Sequence, residues 1–176
     1  MPEDPTPPSA RHAVAATSIG ELTLTARGDA LTGVYFPGHW HPATAERLGD
    51  AVALDGDPAL SRAAVELREY LAGERTAFDL HIQPIGDEFQ LRVWACIERI
   101  PYGSTTTYAA IADELGDRRQ AQRVGTAVGR NPLSIVIGCH RVLGSDGRLH
   151  GYAGGLERKA LLLELERGGP ADDQLF

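Results

Sequence analysis

The sequence predicts an α+β protein: a small N-terminal domain on an antiparallel sheet, followed by a mainly helical C-terminal domain with a helix-turn-helix. Three observations predict it. Leu22 and Leu24 alternate with Thr23 and Thr25 ahead of a Gly28-Asp29 turn, and β-branched and aromatic residues resume from Leu31 to Phe36. Beyond Gly86, Phe89, Val93, Cys96, Ile97 and Ile100 recur at helical spacing up to Pro101. Two short helical stretches, 108–115 and 120–129, then flank a tight polar turn that begins at Gly116.

The elements follow in order. Met1 to Pro8 is proline-rich and acidic, without a basic start or an apolar stretch, so it reads as a disordered tail and not as a signal peptide. The tail is assigned to residues 1–11, the N-terminal α/β domain to 12–85, the C-terminal domain to 86–170 and a closing tail to 171–176. Ala13 to Phe36 forms the small sheet. Gly38 to Pro58 is polar and irregular, a loop with some helix. Leu60, Ala64, Leu67 and Leu71 share a helical face that stops at Gly73, and Phe78 to Ile82 adds a short strand. In the C-terminal domain, Cys96 belongs to the buried stripe of the first helix. Ala121, Val124, Gly125 and Val128 pack the inner side of the third helix. Its outer side carries Arg119, Gln122, Arg123, Thr126 and Arg130, as a surface meeting phosphates does; compact helix pairs also occur in proteins that bind no DNA. Leu156 to Arg167 forms a closing helix.

Composition sets limits. Two cysteines in 176 residues are too few for a disulfide scaffold and point to a reducing, cytoplasmic setting. No segment is long and apolar enough to span a bilayer, so no membrane partner is expected. The net charge of −7 argues mildly against nucleic acid. Locally the balance reverses: Arg118, Arg119, Arg123, Arg130, Arg141 and Arg148 face a lone acid, Asp146, between positions 118 and 148. Guanidinium forks suit phosphate better than ammonium groups do.

That stretch surrounds Cys139. The run Ile135-Val136-Ile137 ends abruptly in Gly138-Cys139-His140-Arg141, like a buried strand that delivers a cysteine to a rim. A lone cysteine is commonly a small buried hydrophobe. A cysteine followed by a base and a cation is also a candidate nucleophile, because such neighbours lower the thiol pKa. The residues alone leave both alternatives open.

The order of helix-turn-helix, Asn131-Pro132, strand, Gly138-Cys139-His140-Arg141-Val142, Gly151-Tyr152-Ala153-Gly154-Gly155 and closing helix resembles the O6-alkylguanine-DNA alkyltransferases, the suicidal methylated-DNA–protein-cysteine methyltransferases. Thr17-Ser18-Ile19-Gly20, Phe89 to Trp94 and Ile100-Pro101-Tyr102-Gly103 extend the resemblance over nearly the whole chain. It implies a ribonuclease H-like N-terminal domain and a monomer that acts without cofactor or metal on double-stranded DNA containing O6-alkylguanine. O4-alkylthymine is a second candidate substrate. It implies Cys139 as alkyl acceptor, His140 as the base acting through a water, and Glu166 as the group that orients His140. Tyr152 is implied as donor to the leaving O6 and Tyr108 as the ring that turns the nucleotide outward. Asn131 is implied as the brace of the active-site turn, and Gly154 and Gly155 as the glycines that shape the base pocket. Arg141 is assigned a structural role at the strand end. The zinc site of some relatives needs N-terminal cysteines, absent here, and His39 and His41 are assigned to the surface.

Two positions depart from the family pattern. Gly138 stands where proline is usual. The intercalating arginine of the recognition helix aligns with Gln122, with Arg123 one place later, about a hundred degrees around the helix. Cys139, His140 and Glu166 together favour chemistry over the runner-up, a non-catalytic alkylated-base sensor like the alkyltransferase-like proteins. A cysteine hydrolase is disfavoured, with no glycine-rich oxyanion arrangement or distant histidine partner in view, and a chain of this length leaves no room for a transcriptional regulatory domain.

Overall fold

The computed structural model describes residues 5–168. The first four residues of the N-terminal tail and the tail assigned to 171–176 lie outside them. Pairing begins within the segment assigned as tail, because strand β1 (Ala10–Thr17) opens at Ala10.

Strand β1 forms a hairpin with β2 (Gly20–Arg27), in register from Ala10 opposite Arg27 to Thr17 opposite Gly20. The turn needs glycine at position 20, where φ is +113°. Strand β3 (Ala30–Tyr35) adds antiparallel to β2 with an irregularity between Thr25 and Ala26. After the single-turn helix α1 (Ala45–Leu48), the two-residue strand β4 (Asp50–Ala51) pairs parallel to β1. The sheet order is therefore β3-β2-β1-β4, an antiparallel sheet with one short parallel edge.

Helix α2 (Pro58–Leu71) starts with two reinforcing signals: Asp57 accepts from the Leu60 N–H at 3.1 Å, and Pro58 occupies the first turn. Leu60, Ala63, Ala64, Leu67 and Tyr70 are buried against the sheet; each leucine so buried contributes about 1.5–3 kcal/mol. The strand expected at Phe78 to Ile82 reduces to one bridge between Leu31 and Ile82 on the outer edge of β3. No helix among the described residues is long and apolar enough to cross a membrane.

The C-terminal domain opens with α3 (Glu88–Glu98), whose Asp87 and Gln90 cap each other reciprocally. Strand β5 (Thr106–Thr107) leads into α4 (Tyr108–Glu114), and α5 (Ala121–Gly129) completes the helix-turn-helix. The Trp94 indole donates to the Ala127 carbonyl at 2.9 Å and locks α3 to the end of α5. Strand β6 (Val142–Leu143) pairs parallel with β5, and α6 (Leu156–Gly168) closes the domain.

The strand expected at Ile135 to Ile137 does not form. Residues 133–138 make successive tight turns: the Ile137 N–H donates to Leu133 O at 2.9 Å and the Val136 N–H to Ser134 O at 2.9 Å. Ile135 has φ of +73°, a left-handed conformation that strains a β-branched residue. Its side chain is buried, so packing holds it there. The β3 edge reaches into this segment, the Val34 N–H donating to Pro132 O at 2.8 Å, so the sheet of one domain abuts the turns of the other.

Candidate active site around Cys139

The turns end in a single 3₁₀ turn, Cys139–Arg141, with both Cys139 and His140 buried. Asn131 is the brace. Its side-chain amide donates to Ile137 O at 2.8 Å, and its carbonyl accepts from the Leu133 N–H at 2.9 Å. Burial pushes the Cys139 thiol up, while Asn131, the Lys159 charge and nearby backbone N–H groups pull it down. Burial dominates, so the resting sulfur is a thiol and needs a base.

His140, the next residue, is held by a carboxylate. Its Nε2 lies 2.8 Å from Glu166 Oε1. The carboxylate accepts only, so the proton is on Nε2 and the Nδ1 lone pair is free. Nδ1 is buried with no protein partner. Burial pushes His140 below its ordinary value despite Glu166, so the ring is neutral near pH 7. Glu166 itself is pushed up by burial but held well below the usual carboxylate range by hydrogen bonds from His140, Arg141 and Tyr70. Arg141 approaches it with Nε at 2.9 Å and Nη2 at 2.7 Å, and donates from Nη1 to Ile100 O at 2.7 Å. Arg141 thus combines the expected backbone bond with an ion pair to Glu166. The Gly103 N–H also donates to Glu166, at 3.1 Å.

Two members of the site escaped the sequence. Tyr70, on α2 of the N-terminal domain, donates to Glu166 Oε1 at 2.5 Å. Lys159 is fully buried on α6, donating to Val142 O and His150 O, each at 2.8 Å. Burial pushes the Lys159 ammonium down to about 8, with Cys139 nearby pulling it back up. A charged residue mid-helix among Glu157, Arg158, Glu164 and Arg167 gives no sequence signal of burial. Tyr70 falls on the apolar face of α2 like any core aromatic.

Tyr152 is buried with an unpartnered hydroxyl, and the nearness of Cys139 is among the effects that raise its pKa, burial first. Its ring packs edge-on against Phe36, centroids 5.8 Å apart. The glycines beside it serve the backbone. A β-carbon on Gly154 would stand 2.6 Å from the Phe36 ring, and Gly155 has φ of +90°. The close approach at Gly154 is therefore to an N-terminal-domain side chain.

Next to this centre lies a cavity of about 760 Å³. Tyr108, Gln122, Gly125, Thr126 and Arg130 form its helix-turn-helix wall, and Gly144, Asp146, His150 and Gly151 part of the opposite side. The structure so gathers Tyr108, Gln122, Thr126 and Arg130, but not the other two arginines. Arg123 stacks on Phe89 of α3 at 3.7 Å from the ring centroid and donates to Gln120, and Arg119 pairs with Asp117 at 3.0 Å. His39, assigned to the surface, is buried among Tyr35 and Phe36; His41 is exposed. Cys96 is buried as expected of a core thiol. Among the described residues no group of three or more His, Cys, Asp and Glu could hold a metal ion.

A buried cysteine beside a neutral, carboxylate-held imidazole, set behind a helix-turn-helix, defines a cysteine-dependent group-transfer protein. The comparisons narrow the class. The DNA-binding domain of 6-O-methylguanine DNA methyltransferase matches residues 88–168, and the ribonuclease-like domain of the same family matches 10–84. The methylated-DNA–protein-cysteine methyltransferase of Mycobacterium bovis is 44% identical over 168 residues, covering 90% of this chain and 93% of its own. The inducible enzyme of that name from Bacillus subtilis is 41% identical over 122 residues, 69% of this chain and 68% of its own. The crystal structure of Mycobacterium tuberculosis OGT in complex with DNA superposes with a TM-score of 0.81 at 40% identity, covering 92% of this chain and 96% of that one. The chain belongs to the 6-O-methylguanine DNA methyltransferase family.

Proposed function

We propose that this protein repairs DNA by moving the alkyl group of O6-alkylguanine onto Cys139, once per molecule. The observation that carries the proposal is the pairing of Glu166 with His140 Nε2, which leaves Nδ1 as a free, buried base beside a buried thiol. The target base leaves the duplex, at a cost of a few kcal/mol, and enters beside Tyr108. His140 draws the proton from the Cys139 thiol through a bridging water. The sulfur attacks the alkyl carbon; the S–C bond forms as the C–O6 bond breaks, and its electron pair passes to the guanine. The Tyr152 hydroxyl donates a hydrogen bond to O6 as that charge develops. The product is a thioether, whose C–S bond water does not hydrolyse at neutral pH, so the sulfur is consumed. Family membership and the DNA-bound relative support the same reaction, and the cytoplasmic, monomeric state belongs to this reading.

The test is incubation with a duplex containing one O6-methylguanine, followed by intact-mass measurement. A one-to-one gain of one methyl group is expected, lost in Cys139→Ala and kept in Cys96→Ala. DNA binding without protein alkylation would instead identify a sensor of alkylated bases.

A further inference from the structure

The segment after β3 carries an aromatic side chain for which the proposed reaction has no use. His39 is anchored there: its Nδ1 accepts from the Phe36 N–H at 3.3 Å, and its own N–H donates to Phe36 O at 3.2 Å. Its ring stacks on Phe36 with centroids 6.4 Å apart and meets Tyr35 edge-on at 5.2 Å. The anchor fixes the next residue, Trp40, whose side chain stays 59% exposed. The benzo edge of the indole rests on Gly151, where a β-carbon would stand 2.8 Å from Cζ3 and 2.9 Å from Cη2. Only glycine admits the ring at that distance.

Trp40 and His41 complete the cavity whose facing wall is Tyr108, Gln122, Thr126 and Arg130. An indole held at one edge and open elsewhere resembles the platforms on which proteins stack bases, since every base presents a π-face. The cavity volume lies in the range of small-molecule sites. The helix on its far side is the one that the alkyl-transfer reading sets against DNA, and the exposed Arg130 offers a phosphate partner on the same rim.

We infer that Trp40 is a stacking platform for a nucleobase of the bound DNA, so that the N-terminal domain takes part in reading the substrate. The inference rests on the alkyl-transfer reading above. It assigns to a residue outside the helix-turn-helix a share in holding the strand.

The chain has two tryptophans, and the other, Trp94, is 1% exposed with its N–H bonded to Ala127. Trp94 is shielded from a bound base, so quenching of tryptophan emission by contact with DNA reports on Trp40. The full chain carrying Cys139→Ala, which cannot react, is titrated with a labelled O6-methylguanine duplex while anisotropy and tryptophan emission are recorded together. Emission should quench in step with binding, and the quench should disappear in Trp40→Phe. Trp40→Ala should weaken binding about five- to twentyfold, and Trp40→Phe, which keeps a stacking face, by less. Binding that leaves the emission unchanged, or Trp40→Ala binding as tightly as its parent, overturns the inference. Failure of the parent to bind DNA at all would overturn the functional reading as well, so the two failures are told apart by the anisotropy.

Discussion

The Tyr70 hydroxyl and the Glu166 carboxylate join the two domains: Tyr70, from helix α2, donates to Oε1 at 2.5 Å, the same oxygen that accepts the His140 Nε2–H hydrogen bond at 2.8 Å. Tyr70 therefore tempers the charge that Glu166 presents to His140. The other groups around the pair are Arg141, the Gly103 N–H, Lys159 and Tyr102. In Tyr70→Phe the ring packing remains, but the carboxylate turns more fully toward the imidazole and raises its basicity. More His140 is then protonated at a given pH and unable to accept the thiol proton. The acid limb of the pH–rate profile should move to higher pH, with stability falling by about 1.5–3 kcal/mol. An unmoved limb would reduce Tyr70 to a packing residue.

Acid should unfold this protein through Glu166. Its carboxyl, from an ordinary 4.5, is raised by burial but brought well below that value overall by His140, Arg141 and Tyr70. The folded value lies below the unfolded one, so the ionised group contributes stability above about pH 4.5 that is lost as pH falls toward the folded value. Urea midpoints at pH 7 and pH 4 should converge more closely in Glu166→Gln than in the unaltered chain, with the pH 7 value of the variant lower. A parallel drop in both proteins would place the acid sensitivity elsewhere.

The helices and the hairpin are legible in the sequence because apolar periodicity, the stops at Gly73 and Gly116 and the turn at Gly28 match what the structure does there, each of the three glycines taking a positive φ. The run Ile135-Val136-Ile137 misled because buried turns and buried strands demand the same apolar residues. What separates them is the left-handed Ile135, and composition does not encode it. Cys139, His140 and Glu166 could be named from motif order, yet Tyr70 and Lys159 could not. Each joins the site only when α2 and α6 pack against a turn far away in the chain.

Gly138 sits at φ of −69°, close to the angle that a proline ring imposes. Its N–H makes no backbone hydrogen bond among the described residues. A β-carbon would meet the Arg141 side chain at 3.1 Å, a distance that a shift of a few tenths of an ångström relieves. Gly138→Pro should therefore fold and stabilise the protein by about 0.4–1 kcal/mol, by narrowing the unfolded ensemble. Thermal unfolding at neutral pH checks this; a lower midpoint would show that Arg141 has no room to yield.

Gln122 and Arg123 now have different tasks. Arg123 lies on the Phe89 ring, whereas Gln122 lines the cavity with Tyr108. Arg123→Ala should cost stability of about 0.5–1 kcal/mol through the lost cation–π contact and leave transfer from duplex DNA within about twofold. Gln122→Arg, which places a long cation at the cavity, should speed transfer from duplex more than transfer from the free base. Single-turnover rates on both substrates decide; a slower duplex reaction in Gln122→Arg would exclude Gln122 from the space left by the extruded base.

Lys159 donates hydrogen bonds to carbonyls at the two ends of one excursion of the chain, Val142 and His150. That excursion is fastened at both feet by one buried side chain, a form of preorganisation. In an enzyme that cycles, such a clamp would slow opening and product departure, which often set the turnover rate. A protein spent in its first reaction has no second cycle to delay. Rigidity that a recycling catalyst must relax can here be kept in full, and stiffness around the sulfur becomes the natural companion of a single use.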